Sequence, residues 1–201
     1  ASIPAERIAF RPVRIIADKP SSLASCGAKS LVEQSRALML TFLETAVWHC
    51  EPPSWSLSEE AGLSLETDNK TDFWQDTYYG FNRDDGHFFG AVIEADFTAT
   101  LEFEGFYKTL YDQAGLMLRL DHNNWVKAGI EFSDQVTNFS IVVTRNGRSD
   151  WSVIAHPNVS GPQKVRLTHI NAAVLAHYLG GDGRWHLMRV ADFPNDTKMQ
   201  L

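Results

Sequence analysis

Ten residues in three short stretches have the side-chain types that recognise a hydroxylated ligand. Asp72, Trp74, Tyr79 and His87 fall in segment 71–87, Tyr111, Asp112 and Gln113 are consecutive, and Arg119, Lys127 and Glu131 follow. The rings of Trp74, Tyr78 and Tyr79 can stack on the flat face of a sugar. Asp72, Asp112 and Gln113 offer the directional hydrogen bonds that fix a polyhydroxylated molecule, and Arg119, Lys127 and Glu131 set the polarity of a concave sheet. A plainer alternative stays open. Phe73, Trp74 and Phe81 would plug a core, Asp72 and Asp84 would cap turns, and the ions would form a solvated cross-strand ladder worth ~0.2–1 kcal/mol per pair.

Catalysis has less support. Glu102 and Glu104 lie two apart on one strand pattern, which puts their Cβ atoms roughly 7 Å apart. Retaining glycosidases hold two carboxyl groups about 5–5.5 Å apart, so the pair could serve. The acidic spacing of concanavalin-type glucanases is nevertheless missing. His87 has no partner base or nucleophile in the sequence, and general-base work needs a substrate proton within reach. The run Ser149-Asp-Trp-Ser152 lacks the flanking glycines of a nucleophile elbow and reads as a hairpin return with Trp151 packed. No zinc spacing or EF-hand loop occurs, so no cofactor is expected, while a Ca²⁺ site of loop oxygens stays open.

The elements that would position these groups follow from composition and period. At 201 residues, 44% of them hydrophobic, the chain suits one domain with a substantial core. Residues 1–38 carry a net +3 and the remainder a net −10. An acidic body repels phosphate backbones, which argues against nucleic acid as a partner. No apolar run approaches the length of a membrane span, so no membrane association is expected, and a cytoplasmic location is. Cys26 and Cys50 form no staple framework. Segment 1–44 reads as an N-terminal extension, partly disordered or a short helix, with Ser30 as N-cap and Glu33 as its capping-box partner.

From residue 45 onward the period is that of strands. Phe97, Ala99, Leu101 and Phe103 alternate with Thr98, Thr100 and Glu102. Segments 114–120 and 125–132 repeat the pattern across the turn 121–124, and the three strands are expected to be sequential antiparallel neighbours. Asn146-Gly147 is a hairpin signal. Further strands are expected over 138–145, 150–155, 165–170, 173–179 and 184–190. Around ten short strands predict an all-β, antiparallel two-sheet sandwich of the jelly-roll type.

Glu51-Pro-Pro-Ser-Trp55, Thr71-Asp-Phe-Trp74, Asp84-Asp-Gly-His87, Tyr111-Asp-Gln-Ala-Gly-Leu-Met-Leu118 and Trp125-Val-Lys-Ala-Gly-Ile-Glu131 stand in order along the chain. With the blocks 142–144, 149–152 and 185–193, they resemble the domain family of unknown function named after yeast "regulation of enolase", of the concanavalin A-like superfamily. The resemblance spans roughly residues 46–194 and implies a concanavalin A-like jelly roll over 45–201, without an established reaction. The family's closing C-terminal strand is expected to be lacking, which would leave a sheet edge open to pairing. The leading expectation is a domain that binds a carbohydrate or similar polyhydroxylated ligand. A protein-interaction or regulatory module is the alternative, and a weak glycoside hydrolase or lyase is the third.

Overall fold

The computed structural model describes residues 7–10, 14–16, 40–58, 61–93, 96–157, 160–195 and 199–201. Two antiparallel sheets pack face to face. The larger contains β1 (Arg7–Phe10), β2 (Arg14–Ile16), β4 (Ser54–Ser58), β5 (Gly62–Glu66), β9 (Phe97–Gly105), β14 (Gln163–Ile170), β15 (Ala173–Leu179) and β16 (Trp185–Asp192). Its order is β16-β15-β14-β9-β1-β5-β4, and β2 also pairs with β9. The smaller sheet is the meander β10 (Gln113–Asp121), β11 (Asn124–Ser133), β12 (Val136–Arg145) and β13 (Arg148–Ala155).

Alternation explains the inner faces. Phe97, Ala99, Leu101 and Phe103 of β9 are buried against Leu118, Val126, Ile130, Phe139 and Ile141 of the smaller sheet. Burying each large apolar side chain contributes about 1.5–3 kcal/mol, so this interface is the main stabilising unit. Tight turns set the register of the meander. Asn146 and Gly147 have φ of 51° and 73°, the left-handed pair that a two-residue hairpin requires.

Three sequence expectations need correction. First, β9 is not a neighbour of β10: it lies in the larger sheet beside β14, and residues 106–112 cross to the smaller sheet. Both strands have an apolar face, so stacking those faces buries more than pairing their edges would. Second, strands occur before residue 45, where none was expected. β1 pairs with β5 and β9, and β2 with Thr98–Thr100 of β9. Residues 40–45 are helical (α1), and the rest of the helix expected from residue 31, with its caps, lies outside the described residues. Third, the expected open edge is covered at Arg119. Gln200 and Arg119 exchange both backbone hydrogen bonds, at 2.8 and 2.7 Å, and Met199 and Leu201 are buried in the core.

The outer face of the smaller sheet is not simply solvated. Trp125, Met117 and Val142 project from it and lie under a short ribbon of β6 (Phe73–Gln75) and β7 (Asn82–Asp84). Phe73 and Trp74 of that ribbon, with Phe88 of β8 (Phe88–Gly90), complete a second apolar core around Trp125, which is 0% exposed. β8 pairs with β3 (Val47–His49). Polar contacts pin the ribbon down. The Gln75 backbone N–H donates to Ser149 Oγ at 2.8 Å, and Ser149 Oγ bonds Thr144 Oγ1 at 2.7 Å. Arg119 grips Asp84 with two bonds of 2.7 and 2.9 Å.

Candidate functional site

The ribbon covers one end of the outer face and leaves the other open. Along Gly115, Gly129 and Ser140 the cross-strand row carries small residues instead of rings. A Cβ on Gly129 would collide with the Ala114 carbonyl oxygen, and one on Gly115 with Ala128 O, so glycine lets these strands approach closely. Beside this bare floor is a cavity of about 790 Å³ that rounds the edge of β10 and reaches toward the main core.

Seven of the ten residues singled out in the sequence line this cavity: Asp72, His87, Tyr111, Asp112, Gln113, Lys127 and Glu131. Asp72 is the hub. Its Oδ1 accepts from Lys127 Nζ at 3.0 Å, Gln113 Nε2 at 2.9 Å and the Phe73 N–H at 2.7 Å. Lys127 also donates to Phe73 O at 2.8 Å, which ties β11 to the ribbon. Glu131 Oε2 accepts from Ser140 Oγ at 2.5 Å, and Ser140 accepts from Trp151 Nε1 at 3.0 Å. Burial raises the Glu131 carboxyl above its ordinary value; Lys127, Ser140 and Trp151 oppose that shift, and Asp72 adds to it.

The other lining residues have structural partners. His87 Nδ1 bonds Cys50 O at 2.7 Å and its Nε2 accepts from the Asp68 N–H at 3.0 Å, so both ring nitrogens hold backbone. Asp112 Oδ2 accepts from the Lys108 and Thr109 N–H groups at 2.8 and 2.5 Å and shapes the crossing loop. Tyr111 has φ of 74° and bonds Tyr79 Oη at 3.2 Å. That bond, with burial and nearby acids, pushes the Tyr111 phenol up to about 12.

Three residues stand apart from the cavity. Trp74 is buried in the second core with its Nε1 donating to Thr77 O at 3.1 Å, so it cannot offer a stacking face. Arg119 is held by Asp84 beneath the ribbon. Tyr79 belongs to an outer ring cluster with Tyr78, Phe81 and Tyr111, in which Tyr78 is 93% exposed. Glu102 is on the larger sheet, paired with Lys164 at 2.7 Å, so it cannot join Lys127 and Glu131 on one face.

Sequence reasoning missed Ser140, Trp48, Tyr107 and the apolar wall. Ser140 had a signal, a small polar residue inside the strand run Phe139–Val143; the wall had none, because it comes from α1, β4 and β5 meeting in space. Among the described residues no group of three or more His, Cys, Asp or Glu is placed to hold a metal ion. No helix among them is long and apolar enough to cross a membrane. Cys50 is an exposed free thiol, and Cys26 lies outside the described residues.

The architecture is a concanavalin A-like antiparallel sandwich with a polar-ended cavity at one edge of its smaller sheet. Residues 48–201 match the family described as "Protein of unknown function (DUF1349)", and the chain belongs to that family. It is 44% identical over 156 residues to "Regulation of enolase protein 1" of Saccharomyces cerevisiae, covering 77% of each chain. It is also similar to the crystal structure of a functionally unknown protein from Saccharomyces cerevisiae. That match has a TM-score of 0.72 and 41% identity, over 79% of this chain and 84% of that one. A GH43_12 structure retrieved from capybara gut metagenome superposes with a TM-score of 0.53 at 12% identity, over 73% of this chain and 29% of that one, a likeness of fold alone.

Proposed function

We propose that the domain binds a polyhydroxylated ligand, a carbohydrate or close chemical relative, at the Asp72–Gln113–Lys127–Glu131 end of the cavity. One observation carries this reading. After the internal bonds are counted, what remains unclaimed on these side chains is mainly acceptor: Asp72 Oδ2, Gln113 Oε1 and Glu131 Oε1, with one Lys127 N–H as donor. A ligand rich in O–H groups supplies the matching donors, whereas an anionic ligand would meet Asp72 and Glu131 unfavourably. The internal bonds also fix the four side chains in advance, which reduces the ordering cost of binding. Calorimetric titration against a panel of methyl glycosides tests it. A saturable heat with the wild type that is lost in Gln113→Leu and Lys127→Met supports the proposal, and no heat at millimolar sugar refutes it.

The outer ring cluster favours a second reading, a protein-interaction module. Tyr78 combines 93% exposure with φ of 65°, an uncommon backbone state for a bulky residue. Capture of a stable protein partner that sugars do not displace, and that Tyr78→Ser abolishes, would favour it.

A further inference from the structure

We infer that the cavity's ligand is amphiphilic, a sugar or polyol head joined to an apolar group; this rests on the carbohydrate reading above. The cavity is about 790 Å³, within the ~300–1,000 Å³ typical of pockets that enclose drug-sized ligands, and its lining combines the Asp72, Gln113, Lys127 and Glu131 side chains with a group of large apolar ones. The ionic end belongs to the outer face of β10 and β11 and to the ribbon. Around the edge of β10 the wall changes character: Phe42 of α1, Leu57 of β4, Leu63 and Leu65 of β5, Leu101 of β9 and Leu116 of β10 line the space. A ligand made only of hydroxyls would leave its own groups unsatisfied there, at a cost that disfavours entry.

Alkyl glycosides and glycolipids have this layout, with hydroxyls at one end and hydrocarbon beyond.

The test compares methyl and n-octyl glycosides of glucose, galactose and mannose, all below the micellar concentration, by calorimetry on the full chain, with 1-octanol as the tail alone. Each fully buried methylene contributes about 4-fold, so seven extra methylenes that are only partly enclosed should give at least ~100-fold tighter binding of the octyl form. Leu57→Glu, at a half-buried cavity position on edge strand β4, should abolish that gain and leave methyl glycoside affinity unchanged. Equal affinity of the methyl and octyl forms would overturn the inference and spare the sugar reading. An octyl gain that survives Leu57→Glu would also overturn it, as adsorption elsewhere. Binding of octanol with no glycoside selectivity would overturn the head assignment, and silence from every probe would overturn both readings.

Discussion

The Arg119–Asp84 clamp should behave asymmetrically when either half is removed. Arg119 is 9% exposed at its side chain and Asp84 30%, and two bonds of 2.7 and 2.9 Å join them. Asp84→Ala strands a guanidinium beneath the ribbon. Removing one partner of a buried pair costs ~3–5 kcal/mol, which solvent reaching the Asp84 side reduces here to about 2–3 kcal/mol. Arg119→Met instead places an apolar stem against Phe73 and leaves a carboxylate that water can reach, with His49 Nε2 3.7 Å away, at a cost of ~0–1 kcal/mol. The double variant should resemble Arg119→Met, because the stranded charge has gone. Urea unfolding reads all four proteins. With a slope of about 2 kcal/mol/M, Asp84→Ala should lower the midpoint by roughly 1–1.5 M and the other two variants by less than about 0.5 M. Equal losses in the two single variants, or additive losses in the double, would show that the clamp is not buried as the structure places it.

Gly129→Ala should cost ~1–3 kcal/mol, the range for overpacking, because its methyl would meet Ala114 O and the Gly115 Cα across the strand pair; an unfolding midpoint matching the wild type would contradict the close approach. Glu131 should make stability depend on pH. Its folded carboxyl keeps the proton to higher pH than in the unfolded chain, so the folded state binds more protons over that window and stability falls as pH rises from the ordinary carboxyl value through the raised one. Glu131→Gln should flatten that slope and be relatively more stable at neutral pH than at pH 4; an unchanged slope across parallel denaturant titrations would count against a buried acid here.

Much of the fold could be read from the sequence because strand period and turn chemistry are local. The four alternating residues of β9 and the Asn146-Gly147 hairpin needed no tertiary information. Which sheet each strand joins is not local. β9 and β10 are consecutive, and only the gain from stacking Phe97, Leu101 and Phe103 on Leu118 and Ile130 separates them into two layers. The site was legible to a similar depth. Asp72, Gln113, Lys127 and Glu131 meet at one cavity end, but ring count could not separate Trp74, which packs inward, from Tyr78, which faces solvent. Both are aromatic residues on one irregular segment, and the difference lies in Trp125, Met117 and Val142 waiting beneath the first. Arg119 and Lys127 likewise share a face, yet one meets Asp84 and the other Asp72.

The second core and the cavity have one origin. A sheet whose outer face carries Trp125, Met117 and Val142 must be covered, and the Phe73–Trp74 ribbon covers that part. Past Val142 the row changes to Gly115, Gly129 and Ser140, which offer no apolar surface, so the cover has nothing to gain by extending there. The boundary between covered and bare sheet is where Asp72 meets Lys127. One side of that ion pair is sealed by rings and the other opens on the cavity, so the nearby Glu131 feels a low-dielectric wall, which opposes its ionisation. A side chain that loosens the ribbon should therefore weaken the second core and disperse the acceptors facing the cavity together. Stability and ligand affinity should fall in step for changes at Phe73, whereas changes at Leu57 on the far wall should separate them.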